Sequence, residues 1–419
     1  MLMAGSFGAL RRTLGVTDAV VIGLGAMIGA GIFAALAPAA GAAGSGLLLG
    51  LALAAVVAYC NATSSARLAA RYPASGGTYV YGRERLGDFW GYLAGWAFVV
   101  GKTASCAAMA LTFGAYAWPG QAHAVAVAAV VALTAVNYAG VRKSALLGRV
   151  IVGAVLAVLA AVVVAVFASD AVEFGRLDVG SDATAGGVLQ AAGLLFFAFA
   201  GYARVATLGE EVRDPARTIR RAIPLALGIT LVVYAAVAVA VLTVLGSRGL
   251  AEASAPLSDA ARAGGAEWLV PVVRLGAALA ALGALLALIL GVSRTVLAMS
   301  RDRHLPSALA AVHPRFAVPH RAELLVGAVV AVVAATGDVR GAIGFSSFGV
   351  LVYYAVANAS AWTLGPGEGR PPRLVPLVGL AGCLVLAFAL PASSVLAGAL
   401  TLALGAGLYA ARSAWGRRS

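Results

Sequence analysis

Charged residues are scarce in this chain of 419 residues, in which Asp, Glu, Lys and Arg together make up only 11%. Soluble chains of this length usually divide into domains in which polar and apolar residues alternate, and this chain lacks that alternation. Its mean hydropathy is +0.94, and its apolar runs reach the length of about 20 residues that one bilayer crossing needs. The sequence therefore predicts an all-α polytopic membrane protein.

Cysteine and histidine are also rare, with three and four residues. Cys60, Cys106 and Cys383 all fall in apolar runs, where small packing residues are expected rather than a disulfide framework. The histidines all fall in predicted loops without metal-ligand spacing, so no metal or cofactor is expected. The apolar runs also lack a paired nucleophile and base, which excludes an intramembrane enzyme, and a repeated ring of charges, which excludes a channel. No catalytic residue is predicted.

Twelve membrane spans are predicted within a single membrane domain, 1–419. None of the loops between them is long enough to bury a core of its own. The first apolar run is too long for a cleaved signal peptide and is interpreted as a retained span. The predicted spans lie near 18–44, 46–70, 88–117, 121–139, 145–169, 186–208, 222–246, 266–300, 322–336, 341–364, 374–390 and 393–412.

The formal net charge of +13 reports topology rather than a nucleic-acid partner. If both termini are cytoplasmic, basic residues crowd the inner loops, whereas the outer loops are mainly acidic. This asymmetry is the positive-inside rule. The predicted location is the cell membrane, as a multi-pass protein with its N- and C-termini in the cytoplasm. The few basic residues of the outer loops are Arg176, Arg248, Arg262 and Arg340.

Two spans are interrupted by glycine in a similar way. Span one contains 28-IGAGIF-33 and span six contains 196-FFAFAGYA-203, although glycine weakens a helix by about 1 kcal/mol relative to alanine. The two spans are five apart, so a second five-span unit would be inverted relative to the first. Paired glycine-broken helices in an inverted repeat indicate a substrate site at the membrane midplane. The alternative is that the glycines only permit close helix packing.

Six stretches of the sequence form a recognisable series from span one to span eight. In order they are 25-GAMIGAGIF-33, 73-PASGGTYVYGRERLG-87, 95-GWAF-98, 137-NYAGVRKSA-145, 196-FFAFAGYARVATLGEEVRDPARTIRRAIP-224 and 293-SRTVLAMSRDRHLP-306. In these stretches the chain resembles the amino acid–polyamine–organocation superfamily of permeases. Spans nine to twelve agree with it only in number and length.

The resemblance implies a leucine-transporter-type fold of 12 transmembrane helices. Two inverted five-helix repeats, about 18–169 and 186–364, would be followed by two extra helices within about 374–412. The implied function is secondary active transport of amino acids by alternating access, sodium-independent and either proton-coupled or by exchange. The alternative is a permease or antiporter for polyamines or other organic amines. A partner subunit is not expected, because no cysteine falls in an outer loop.

A zwitterionic substrate needs partners for both of its charged ends. The N–H groups of Gly29, Ala30 and Gly31 open the second half of span one and can hold a carboxylate at a helix N-terminus. Carbonyl groups freed by the two breaks can accept hydrogen bonds from the ammonium group. The resemblance places the substrate site at these motif positions, which comprise Ile28, Gly29, Ala30 and Gly31 in span one and Phe197, Ala198, Ala200 and Gly201 in span six. No acidic residue is predicted near the substrate side chain, which favours neutral amino acids.

The coupling residues are predicted from one displaced lysine. The resemblance implies a span-five lysine whose ammonium group replaces sodium, but an apolar residue near Val155 takes that position here. Lys102 lies in span three instead, about two turns from the cytoplasmic end, where a charge is costly and is a functional candidate. We predict that it reaches toward spans one, five and eight and replaces sodium or carries a proton. The alternative is that it snorkels to the inner interface. Ser293 offers a hydroxyl near the same cation position.

Two further charged residues are candidates for a gating role. Arg204 follows the span-six motif, and a structural ion pair with Glu210 or Glu211 is favoured over a gating role. Asp302 lies at the inner end of span eight, where Arg11 or Arg12 could pair with it and close the cytoplasmic side.

Overall fold

The structure, a computed structural model, describes residues 14–72, 76–140, 145–206 and 212–415. Within these ranges the regular elements are helices, and β-type pairing is limited to an isolated bridge between Leu14 and Val212. The α-helices, joined in places by short 3-10 turns, are α1 (Val16–Met27), α2 (Ala30–Ala34), α3 (Leu36–Ala43), α4 (Leu47–Arg71), α5 (Thr78–Leu86), α6 (Asp88–Ala117), α7 (Ala122–Tyr138), α8 (Ala145–Phe167), α9 (Ala185–Phe199), α10 (Ala203–Ala206), α11 (Pro215–Glu252), α12 (Pro256–Ala263), α13 (Val270–Arg301), α14 (His320–Thr336), α15 (Val339–Trp362), α16 (Leu374–Ala389) and α17 (Ala392–Trp415).

Every predicted span corresponds to helical structure. Span one comprises α1, α2 and α3, and span six comprises α9 and α10. The described residues include 10 helical segments that are long and apolar enough to cross a membrane. The helices of spans nine and eleven, α14 and α16, have 17 and 16 residues, fewer than the roughly 20 that a crossing usually needs. The polytopic helical architecture is confirmed, whereas the number of twelve crossings stays a prediction.

Two of the predicted loops contain a short helix. The loop after span two forms α5, and the loop after span seven forms α12. Each lies between the second and third span of its predicted repeat. In α12 the buried Leu257, Ala260 and Ala261 recur at three- and four-residue spacing, so one face of the helix packs inward while its charged residues face outward.

Close helix packing brings α6 to the centre of the bundle, against α13 and α15. Glycines permit the closest approach. A side chain on Gly349 of α15 would place its Cβ atom 3.0 Å from the Cα atom of Gly101 in α6. Small residues at such contacts let two membrane helices approach backbone to backbone. On the other side of the bundle, α1 packs against α11, and α4 packs against both α9 and α11.

Candidate functional site

The first break in the bundle separates α1 from α2. The N–H group of Ile28 still donates to the carbonyl oxygen of Leu24, 2.7 Å away. Gly29 then leaves the helical region with ψ of −137°, and the helix resumes at Ala30. The first N–H groups of a helix have no acceptor within that helix, and here they belong to Gly29, Ala30 and Gly31. Beyond α2 the backbone hydrogen bonds continue into α3, so these groups open a longer helical stretch.

The second break lies at the end of α9. A 3-10 turn, Ala200–Tyr202, follows Phe199 and leads into the short α10. The N–H group of Ala200 lies within hydrogen-bonding distance of two carbonyl oxygens of α9, those of Phe196 and Phe197. The N–H group of Ala200 therefore pairs with carbonyl groups three and four residues before it, as at a helix end that tightens into a 3-10 turn. The carbonyl groups of Ala198 and Ala200 are contacted by side chains from other helices.

The two breaks pack directly against each other. A Cβ atom on Gly31 would lie 2.7 Å from the Cα atom of Ala198, and one on Gly201 would overlap the carbonyl group of Ala26. No side chain larger than hydrogen fits at either position without moving backbone. Gly29 faces a third helix, because its Cβ atom would lie 2.7 Å from that of Ala284 in α13. The structure thus brings the predicted span-one and span-six residues together, and this close packing requires glycine.

Tyr234 of α11 connects the two breaks and was not identified from the sequence. Its hydroxyl group hydrogen-bonds to the carbonyl oxygen of Met27 and lies 3.1 Å from that of Ala198. The side chain is only 1% exposed. The available signal was a tyrosine in the middle of an apolar span, because a buried phenol normally requires a hydrogen-bond partner. The sequence alone gave no indication that the partner would be the broken backbone.

Lys102 lies at the span-six break. Its Nζ atom is 3.5 Å from the carbonyl oxygen of Ala200, and the hydroxyl group of Tyr354, in α15, is 3.3 Å from the same oxygen. The lysine is 6% exposed and occupies the middle of the 30-residue α6. The predicted depth of two turns is therefore wrong: α6 has the bounds of predicted span three, and Lys102 lies about four turns from Asp88. Its hydrogen bond is to span six rather than to the predicted spans one, five or eight.

The remaining candidate residues show no described contact with the broken backbone. Ser293 is fully buried in α13, and its hydroxyl group donates to the carbonyl oxygen of Ile289 in the same helix, at 2.7 Å. Arg204 lies in α10, and its predicted partners, Glu210 and Glu211, fall outside the described residues.

Asp302 has partners that differ from the predicted ones. It caps the C-terminal end of α13 and accepts hydrogen bonds from Tyr79 and from Arg83 (3.1 Å), both in α5. The predicted partners Arg11 and Arg12 lie outside the described residues. The pairing with Arg11 or Arg12 therefore stays a prediction, and the contacts from Tyr79 and Arg83 arise because α5, which was predicted as a loop, packs its side chains against the end of α13. We refer to this end of the bundle as the α5 end.

Comparison with known proteins places the chain among transporters. It matches the family model described as amino acid permease over residues 14–406. An uncharacterised transporter of Mycobacterium tuberculosis is 77% identical over 98% of this chain and 93% of its own length. A branched-chain amino acid permease of Bacillus subtilis is 26% identical over 87% of this chain and 83% of its own. The chloroplastic cationic amino acid transporter 7 of Arabidopsis thaliana is 30% identical over 84% of this chain and 65% of its own.

Proposed function

This chain belongs to the amino acid permease family and is a membrane transporter rather than an enzyme, and from that premise we propose that it moves amino acids by secondary active transport. The observation that carries the proposal is the direct packing of two broken helices, with Gly31 of span one against Ala198 of span six. In a membrane, irregular backbone is tolerated only where it is buried in protein or lines a cavity. Paired breaks near the midplane are how secondary transporters build substrate sites.

The proposed carboxylate site is the start of α2. The N–H groups of Gly29, Ala30 and Gly31 point along the axis of the helical stretch formed by α2 and α3, whose N-terminal end carries a partial positive charge. A carboxylate there replaces the missing intrahelical acceptors. Ile28 precedes these groups and is 3% exposed, so the surroundings are apolar and strengthen the electrostatic attraction.

The proposed ammonium site uses carbonyl groups of the breaks. In the present conformation Tyr234 bonds to Met27 and approaches Ala198, while Lys102 and Tyr354 approach Ala200. Each carbonyl oxygen has two acceptor positions, so a substrate ammonium can share these oxygens or take the place of a side-chain donor. Phe197, with Gly201, completes the span-six side of the proposed site.

Neutral amino acids are the favoured substrates. Among the described residues, the side chains that contact the break carbonyl groups are tyrosines and a lysine, so no carboxylate is in place there to bind a second, side-chain cation of the substrate. The branched-chain permease of Bacillus subtilis supports this choice. The relative named as a cationic amino acid transporter keeps a second candidate open, a permease or antiporter for polyamines or other organic amines.

The proposed transport cycle is alternating access within an inverted repeat of five plus five spans. The repeats are about 18–169 and 186–364, followed by α16 and α17. The breaks occur in the first span of each repeat, and α5 and α12 both follow the second span, which supports the assignment. We further propose that the protein lies in the cytoplasmic membrane as a solitary subunit with both termini inside. The proposed transport is sodium-independent and uses a proton gradient or exchange.

The experiment that tests this function is substrate binding followed by uptake. Purified protein is screened by thermal shift against single amino acids and diamines, and each stabilising compound is then measured as radiolabelled uptake into proteoliposomes, with and without a pH gradient. We expect stabilisation by neutral amino acids and uptake of the same compounds. Stabilisation by diamines alone would support the second candidate, and the absence of any stabilising compound and of uptake would contradict both.

A glycine substitution links that uptake to the breaks. Gly31→Ala adds a Cβ atom 2.7 Å from the Cα atom of Ala198, so span six must move and uptake is expected to be abolished. The matched control is Gly228→Ala in α11, where a Cβ atom meets no other atom within 4 Å. Both variants are expected to insert into the membrane normally. Normal uptake by the Gly31→Ala variant would contradict the proposed site.

A further inference from the structure

Three arginine side chains line a cavity at the α5 end. It lies between the last turns of α4, the second turn of α11 and the 3-10 turn Pro366–Glu368 between α15 and α16. Its volume is about 330 Å³, and its charged lining residues are Arg67, Arg71, Arg220 and Glu368. This volume is at the lower end of the range of roughly 300–1,000 Å³ found for small-molecule sites.

Glu368 is the one carboxylate among the described residues that line the cavity, and it is already bound. Glu368 forms ion pairs with Arg85 and, at 3.4 Å, with Arg71. It also accepts a hydrogen bond of 2.8 Å from the N–H group of Gly365. This backbone hydrogen bond and Arg85 lower the pKa of Glu368 to about 2, so the carboxylate is ionised at neutral pH. It therefore contributes one negative charge to the cavity, and this charge is already paired with Arg71 and Arg85.

Arg67 and Arg220 line the same cavity and carry charges of the same sign. Among the described residues neither forms an ion pair or a side-chain hydrogen bond. The positive charge of Arg220 acts unfavourably on Arg67, which is also partly buried. Two guanidinium groups at one cavity, neither of them paired with a carboxylate of the described residues, are an arrangement that a bound anion would stabilise.

We propose that this cavity binds a phosphate-bearing anion, either the headgroup of an anionic phospholipid or a soluble phosphate compound. Planar guanidinium groups match the oxygen geometry of phosphate and can donate two parallel hydrogen bonds to it. The cavity lies at the end of membrane helix α4, where basic pockets can bind anionic lipid headgroups. A phosphate there would connect α4 and α11, which pack together, to the turn between α15 and α16.

Thermal stability of the purified full-length protein in detergent tests the proposal. One arm adds inorganic phosphate, with sodium chloride at the same ionic strength as reference. The other arm adds phosphatidylglycerol to the micelles, with phosphatidylcholine as reference. We expect the Tm of the unmodified protein to rise by several degrees in at least one arm. A rise in the lipid arm alone identifies a lipid headgroup, and a rise in the inorganic phosphate arm alone identifies a soluble phosphate compound.

Two charge-matched double variants make the test specific. In Arg67→Gln/Arg220→Gln the cavity loses two charges, and the rise in Tm is expected to disappear. In Arg217→Gln/Arg221→Gln the same number of charges is removed from exposed positions of α11 outside the cavity, and the rise is expected to persist. If the cavity double variant does not fold, Arg220→Gln alone is used, because Arg220 is exposed.

Two results would overturn the anion site. One is the absence of any rise in the unmodified protein in both arms. The other is an equal rise in the unmodified protein and the cavity variant, which would show a non-specific effect of ions or lipid. The measurement does not involve uptake, so its failure leaves the proposed transport function untouched.

Discussion

At the scale of single residues, Lys102 is a charged side chain held in the middle of a membrane helix. A charge at this depth is costly unless it is paired or hydrogen-bonded, and the carbonyl group of Ala200 gives it one acceptor at 3.5 Å. The lysine is buried rather than extended to the membrane surface, so the snorkelling alternative does not describe its position. Its ammonium group lies at the span-six break, where a change in charge would act directly on the proposed substrate carbonyls.

Replacing Lys102 tests its proposed role in coupling. Lys102→Met keeps the length of the side chain and removes its charge, and we expect the uptake rate to fall by roughly ten-fold or more, because a hydrogen bond from a charged group contributes about 1.5–3 kcal/mol. Lys102→Arg keeps a charge that does not titrate. If Lys102 replaces sodium, the arginine variant retains uptake. If Lys102 carries a proton, the arginine variant loses the pH dependence of uptake.

Both variants are measured as initial uptake rates in proteoliposomes over a range of pH. Thermal stability of each variant is measured alongside, to separate loss of folding from loss of transport. An unchanged rate and pH dependence in Lys102→Met would discard a coupling role.

At the scale of elements, α5 fixes the end of α13 through a polar cluster. Asp302 stands at the C-terminal end of α13, where the helix dipole disfavours a negative charge, and Arg83 and Tyr79 of α5 compensate for it. Burial and the hydrogen bond to Asp302 raise the pKa of Tyr79, so it remains a phenol. Its hydroxyl group also lies 2.9 Å from Nδ1 of His304.

This cluster predicts a loss of stability in acid. Burial lowers the pKa of His304 below its ordinary value of 6.5, and the positive charges of Arg412 and Arg83 act in the same direction, against Asp302 and Asp88. The unfolded chain therefore binds a proton at this position at a higher pH than the folded protein does. The free energy of unfolding is expected to fall as the pH drops below about 6.5.

The measurement is Tm between pH 7.5 and 5, for the unmodified protein and for His304→Gln, which keeps a polar side chain that does not titrate. We expect Tm to decrease more steeply in the unmodified protein. Parallel curves for the two proteins would show that His304 does not contribute.

At the scale of the whole molecule, the open question is how many helices cross the membrane. α14 and α16 are short, and a short hydrophobic helix can still cross where the bilayer thins or where neighbouring helices shield it. The described part of the chain places its three cysteines in buried positions. Introduced cysteines can therefore be labelled against a low background.

Three exposed positions decide both crossings. With an impermeant maleimide on intact cells, we expect labelling of Ser393→Cys, while Ser307→Cys and Arg370→Cys react only after permeabilisation. If α14 does not cross, positions 307 and 370 lie on opposite sides, because α15 alone separates them. If α16 does not cross, positions 370 and 393 lie on the same side. Uptake by each variant serves as the control for folding.

The sequence by itself determined the helical class, the approximate positions of the long helices and the location of both breaks. These properties are local. A run of about 20 apolar residues is long enough to cross a bilayer whatever surrounds it, and Gly29 and Gly31 weaken a helix wherever they occur. The family followed from the order of six short motifs, and the amino acid permease match confirms it. The proposed substrate residues could also be named, because they are the break itself.

Only the tertiary structure decided which distant groups meet. Tyr234 joins Met27 to Ala198, Lys102 approaches Ala200, and side chains of α5 bind Asp302. The short α5 and α12 were not predicted, because their marginal helices depend on packing against the bundle. The physical reason is the same for each of these contacts. A hydrogen bond or ion pair between residues far apart in the chain depends on how the helices pack, and this packing cannot be read from the local sequence.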